Sequence, residues 1–185
     1  FILTSTPSMD ILISSNLERL IYMIAGEDEE KLRSLMKDLS ETGKYEITPE
    51  MKEKLCDFTG GFATEDEDTA TIKQVYDENG YILDTHTGVA AAVYRKYREA
   101  LCDDAPSVIV STASPFKFLR SVYGALDPEH VDRLSDYDLI YQLDDKNSRK
   151  GIPQAIKDIL AMPIRHKTVC EPAEMEGNIR KFLGI

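Results

Sequence analysis

Ser107-Val-Ile-Val-Ser-Thr-Ala-Ser-Pro-Phe-Lys-Phe118 is the stretch on which the reading of this chain turns. Val108, Ile109 and Val110 are consecutive β-branched residues and describe a short, fully apolar strand. Three small hydroxyl-bearing residues, Ser111, Thr112 and Ser114, end it, and Pro115 opens a helix. In open α/β sheets the carboxyl end of such a strand is where ligands are held. The hydroxyls offer neutral donors and acceptors, but no nucleophile with an evident base. The segment reads as part of an active site rather than a whole one.

Outward from it, helical periodicity dominates. Residues 10 to 25 place Ile13, Leu17, Leu20, Ile21 and Ile24 on one stripe, with Ser8 or Asp10 to cap it and Gly26 to end it. Glu27 to Leu39 turns Leu32, Leu35, Met36 and Leu39 inward, and Pro49 opens a short helix to about Phe58. Phe58 to Ala63 reads as a strand or strand edge. Glu65 to Asn79 is a helix whose acidic opening suits the positive end of the helix dipole. Asp84 caps a long helix with Val89, Val93, Tyr97 and Ala100 at helical spacing. Pro115 starts a helix through about Ala125, and Pro128 starts another. Tyr137 to Leu143 reads as a strand or an extended segment. Pro153 opens a helix with Ile156, Ile159 and Leu160, and the last helix, 172 to 183, turns Met175, Ile179, Phe182 and Leu183 inward. Apolar strands separated by helices favour α/β layering.

Composition narrows the function classes. The 185 residues can bury a sizeable core, and 42% hydrophobic with 30% charged residues excludes wholesale disorder. A formal charge of −11 argues against gripping nucleic acid or an anionic membrane. No apolar run is long enough for a membrane span. Cys56, Cys102 and Cys170 lie far apart and read as three reduced thiols, which points to a cytoplasmic protein. The chain opens on Phe1, and Phe1 to Thr4 reads as an edge of sheet, so a fragment or processed chain is expected.

Several polar groups invite chemistry. Ser114 and Lys117 have the Ser-x-x-Lys spacing of acyl-transfer enzymes, but the partner motifs Ser-Asp-Asn and Lys-Thr-Gly do not follow in the expected order. A helix start explains the same residues. His86, in Asp84-Thr-His-Thr-Gly88, is a candidate proton shuttle or substrate contact, and equally a residue in the first turn of a helix that Asp84 caps. His130 and His166 sit among charged neighbours and read as solvent-facing. Glu65 to Asp68 reads as a solvated helix start, because successive carboxylates do not converge on one metal; no metal site is expected. Thr59-Gly60-Gly61 reads as a turn, and Met9, Met23 and Met36 as core filler.

Three segments, in order, carry a resemblance: Thr6-Pro-Ser-Met-Asp-Ile-Leu-Ile-Ser-Ser-Asn-Leu-Glu-Arg-Leu20, Asp84-Thr-His-Thr-Gly-Val89, and Ser111-Thr-Ala-Ser-Pro-Phe-Lys-Phe118. Together they resemble threonine synthase, a pyridoxal-phosphate enzyme of the tryptophan-synthase-β-like fold (fold type II). The resemblance implies the helix-rich C-terminal part of the catalytic region, residues 1–185, with helices packed on a short, mainly parallel sheet. The family's Schiff-base lysine and phosphate-binding loops would all precede this chain. Thr112 matches the hydroxyl that faces the pyridine nitrogen of the cofactor, and a neutral hydroxyl does not strongly favour the pyridinium form. Ser114 stands where the family commonly has His, and Lys117 matches a family Lys.

The implied reaction converts O-phospho-L-homoserine and water into L-threonine and phosphate. The implied partners are that substrate and the N-terminal part of the same enzyme. Thr112 is then the cofactor contact, His86, Ser111 and Lys117 are substrate-side or pocket candidates, and the isolated chain is expected to be inactive. Two alternatives stand beside this reading. A threonine-synthase-like phospho-lyase would release phosphate and ammonia and give a keto acid. A non-enzymatic interaction module would be a self-contained monomer without a large exposed apolar patch.

Overall fold

The computed structural model describes residues 2–102, 104–148 and 151–185. The chain packs as two units, residues 1–150 and residues 151–185. Among the described residues there are nine α-helices and no β-strand.

In the first unit α1 (Ser15–Ile24), α2 (Glu29–Thr42) and α3 (Pro49–Glu53) form a small core of their own. Ile21, Ile24, Leu35 and Met51 are buried in it, with Leu20, Leu32, Met36, Tyr45 and Ile47 packed around them. Ser14, Asp28 and Thr48 cap the three helices, each accepting a backbone N–H three residues on.

The larger core belongs to α4 (Glu65–Asn79), α5 (Thr85–Leu101), α6 (Leu119–Leu126) and α7 (Asp136–Lys146). Helix α4 packs on both α5 and α6, and α6 packs on α7 and on the 3-10 turn Pro115–Phe118. Ile72, Ala91, Ala92, Val122, Tyr123, Leu126, Leu139 and Leu143 are buried there. The acidic start of α4 carries a capping box, with Thr64 and Glu67 exchanging side-chain and backbone bonds. The second unit holds α8 (Gln154–Ala161), a 3-10 turn at Pro172–Glu174 and α9 (Met175–Leu183).

The structure corrects the expected α/β class. The segment 107–112 has no regular secondary structure, and a chain segment becomes a strand only when a neighbour completes its backbone hydrogen bonds. None does so among the described residues. Val108 is 89% and Val110 71% exposed, whereas Ile109 is turned further inward at 38%. Residues 58–63 and 2–4 likewise have no regular secondary structure, and Phe1 lies outside the described residues.

Tyr137 to Leu143 is helical. Leu139, Ile140 and Leu143 are buried on one face of α7 while Tyr137 and Tyr141 stand exposed on the other. Pro128 is followed only by a short 3-10 turn, Val131–Arg133.

Other side chains also differ from their expected places. Ile13, Leu17, Met9 and Met23 are exposed, while Met36 is half-buried and Met51 is the buried methionine of the small core. In α8, Ile159 is exposed. Met175, Ile179, Phe182 and Leu183 of α9 are exposed too, lining an open groove with His166, Thr168 and Cys170. An amphipathic stripe reports which face is apolar, not that something covers it.

Candidate functional site

Helix α5 begins two residues after the buried pair Ile82 and Leu83. Asp84 is 1% exposed and caps the helix, its Oδ1 accepting the N–H groups of His86 at 3.0 Å and Thr87 at 3.4 Å. Its other oxygen accepts the Thr87 hydroxyl. One carboxylate thereby satisfies backbone donors that a helix start leaves unpaired, and a capping Asp is favoured by the dipole as well.

This cap sets His86. The ring Nδ1 lies 3.3 Å from Asp84 Oδ1 and 3.4 Å from Thr85 Oγ1. Thr85 donates its own proton to the Ser5 carbonyl at 2.9 Å, so it faces the ring as an acceptor. With acceptors on that side, the neutral ring carries its proton on Nδ1. Nε2 is left as a bare lone pair, buried and without a hydrogen-bond partner. The ring stands against Phe118, centroids 4.7 Å apart, and the Lys117 ammonium lies 5.4 Å from the centre of that same Phe118 ring.

Thr87 Oγ1 lies 3.1 Å from Ser111 Oγ, which ties the segment 107–112 to the head of α5. His86, Ser111 and Lys117, chosen from sequence as pocket candidates, are thus gathered around Thr87 and Phe118. Thr112 follows Ser111 and is exposed. Ser114 is occupied as a cap, accepting the Phe116 N–H at 3.3 Å, so its spacing to Lys117 reflects the start of the 3-10 turn.

Elsewhere, His130 is half-exposed and paired with Asp127 at 2.7 Å, and the ring of exposed His166 stands 6.2 Å from that of Phe182. The three cysteines are free. Gly61 is more than a turn residue, since a Cβ there would stand 2.5 Å from Val93 Cγ1 of α5.

Sequence reasoning missed Asp68. It was grouped with a solvated acidic start, yet it is 2% exposed, with Oδ2 accepting the Ser5 hydroxyl at 3.2 Å and Oδ1 unpartnered. Burial pushes its carboxyl up from 3.8 to about 7; the nearby charges of Glu65 and Asp84 push the same way, and the Ser5 hydrogen bond opposes them. The signal was present in the spacing: Asp68, Thr71 and Ile72 are the buried residues of α4 and share one face. Among the described residues, no group of three or more His, Cys, Asp or Glu side chains is arranged to hold a metal ion.

Comparison with known proteins gives the family. Residues 87–179 match the family model described as threonine synthase, C-terminal. Human threonine synthase-like 1 is 34% identical over 154 residues, covering 83% of this chain and 20% of that protein. Threonine synthase of Pseudomonas aeruginosa is 33% identical over 118 residues, 63% of this chain and 25% of that protein.

Two solved structures are similar. Threonine synthase from yeast aligns over 99% of this chain and 37% of its own, with a TM-score of 0.70 and 26% identity. The PLP-bound threonine synthase from Brucella melitensis aligns over 67% of this chain and 26% of its own, with a TM-score of 0.60 and 38% identity. The chain therefore spans about a fifth to a quarter of the length of the curated relatives it matches. By family match, by sequence and by fold, this chain belongs to the threonine synthase family and corresponds to its C-terminal region.

Proposed function

We propose that this chain is the C-terminal part of a pyridoxal-phosphate-dependent threonine synthase, which converts O-phospho-L-homoserine and water into L-threonine and phosphate. The observation that carries the reading is the meeting of two family segments: Ser111 is joined through Thr87 to the turn that holds His86. Segments distant in sequence thereby form one wall.

The residues present fit part of a pyridoxal-phosphate site. Thr112 offers an exposed neutral hydroxyl, suited to a pyridine nitrogen that is not held protonated. His86 Nε2 is an unpartnered lone pair. The residues that would hold the cofactor's aldehyde and phosphate belong, by the resemblance, to the N-terminal part of the enzyme. Bound there, the cofactor would supply the electron sink for proton removal next to the substrate amine.

What this chain's residues do can be derived separately. Asp84 fixes the Nδ1–H tautomer of His86, so that any proton the ring takes up arrives at Nε2. Phe118 backs the ring and keeps it from turning away. Ser111, held by Thr87, fixes the chain next to Thr112. The partner completing the site is the N-terminal part of the same polypeptide, and the exposed apolar residues Val108 and Val110 support an intended cover. This is the opposite of what a self-contained interaction module predicts.

The test is product analysis. The full-length protein, loaded with pyridoxal phosphate and given O-phospho-L-homoserine, is expected to release threonine and phosphate in equal amounts. A keto acid with ammonia and phosphate would make it a phospho-lyase, and no turnover would return the module to first place. The 185-residue chain alone, under the same conditions, is expected to make no threonine.

A further inference from the structure

The N-terminal loop is a braced body. Thr4 N–H donates to Asp10 Oδ2 at 2.8 Å and Thr4 Oγ1 to Asp10 Oδ1 at 2.7 Å, while Thr6 N–H returns to Thr4 Oγ1 at 3.1 Å. Ser5 joins this loop to the helices with each of its polar groups. Its N–H donates to Glu65 Oε1 at 2.9 Å, its hydroxyl to Asp68 Oδ2, and its carbonyl accepts Thr85 Oγ1.

Asp68 lies beneath that junction in an awkward setting for an anion. It receives one hydroxyl hydrogen bond, and its second oxygen has no partner. The charged groups that act on it are Glu65 on its own helix and Asp84 at the head of α5, and both repel a negative charge there. No cation pairs with it among the described residues. A buried carboxylate with so little support is far costlier than the neutral acid.

We propose that Asp68 is kept as a neutral carboxylic acid and acts as a proton-operated latch. With the proton bound, the loop of residues 4–10 closes over the Asp84–Gly88 turn; with the proton lost, the buried charge draws in water beneath Ser5 and frees the loop. The position of Ser5 decides what Thr85 Oγ1 presents to His86 Nδ1, so the latch is also a positioning device for that ring. A carboxyl raised to about 7 places this change near neutrality.

The experiment needs neither cofactor nor substrate, so its failure is separate from that of the proposed catalysis. In the 185-residue chain the side-chain carboxyl carbon of Asp68 is followed by NMR from about pH 4 to pH 9, and assigned by its absence in Asp68→Asn. The expected result is a midpoint near 7, with the Ser5 and Thr85 amide signals moving at the same midpoint. Those amide movements should vanish in Asp68→Asn. Ser5→Ala removes the hydrogen bond that favours the ion and should shift the midpoint upward; it serves as the reporter if Asp68→Asn does not fold. A midpoint in the ordinary carboxylate range overturns the proposal. So do Ser5 and Thr85 signals that stay still while Asp68 titrates, or that move unchanged in Asp68→Asn.

Discussion

At Gly88 an added methyl group would overlap Asp68 Oδ1 and stand 2.9 Å from Ile72 Cγ1. Two effects oppose each other there. Alanine is the better helix former by about 1 kcal/mol, whereas overfilling a packed site costs about 1–3 kcal/mol. Both neighbours are buried and Asp68 is held by Ser5, so overfilling wins and Gly88→Ala should destabilise by about 1 kcal/mol or more. In an Asp68→Ala background the tighter of the two overlaps is gone while that with Ile72 stays, so the same substitution should cost clearly less. Urea unfolding of the four proteins measures this coupling, and an unchanged effect of Gly88→Ala in both backgrounds would refute it. Asp84→Ala should cost more, about 2 kcal/mol, because it removes the acceptor of the His86 and Thr87 N–H groups and of the Thr87 hydroxyl together. His86, Ser111 and Lys117 were legible as candidates because each belongs to a short polar motif. Asp68 was not, because three acids precede it at the helix start and only its spacing to Ile72 betrays the buried face.

Among the elements, those with strong punctuation were read closely from sequence. Thr64 before Glu65, Asp84 before Thr85 and Gly80 after Asn79 bound α4 and α5 where the capping residues say they should. Helix α7 was misread because Tyr137, Ile140 and Tyr141 favour strands. The spacing of Leu139, Ile140 and Leu143, and the Ser135–Asp138 capping box, determine the outcome instead. Leu143 is fully buried, so Leu143→Ala should cost about 2–5 kcal/mol, while Tyr141→Ala on the exposed face should change stability by less than about 0.5 kcal/mol. Thermal unfolding of the two variants compares them; similar losses would contradict the helical face assignment. The segment 107–112 failed differently. Its composition describes a buried strand, but burial and pairing depend on neighbours that local sequence does not contain.

For the whole molecule, two sets of carboxyl groups pull the pH profile in opposite directions. Glu67, Asp127 and Asp138 are held below their ordinary values by hydrogen bonds from Lys96, His130 and Ser135. Their contribution is present above those ordinary values and is lost as the pH falls. Asp68 has the reverse sign: its stabilisation is complete below about 4, where the unfolded group also holds its proton, and is lost as pH rises through about 7. The urea midpoint should therefore be higher at about pH 5.5 than at about pH 8.5, and Asp68→Asn should flatten that fall. The first unit also exposes apolar residues. Val108, Val110, Phe58 and Phe62 are all more than half exposed, although the four-helix core beside them is closed. Such exposure on a folded protein attracts apolar dyes, whereas exposure caused by loose packing would also blunt cooperative unfolding. The chain is thus expected to bind an apolar fluorescent dye below its melting transition and still unfold sharply. Replacing Val108 and Val110 together by Lys removes apolar area without touching a buried contact, so the dye signal should drop while the melting midpoint barely moves. A dye signal that survives this change would assign the binding to another surface, and a midpoint that collapses would mean that the segment 107–112 is bound into the core after all.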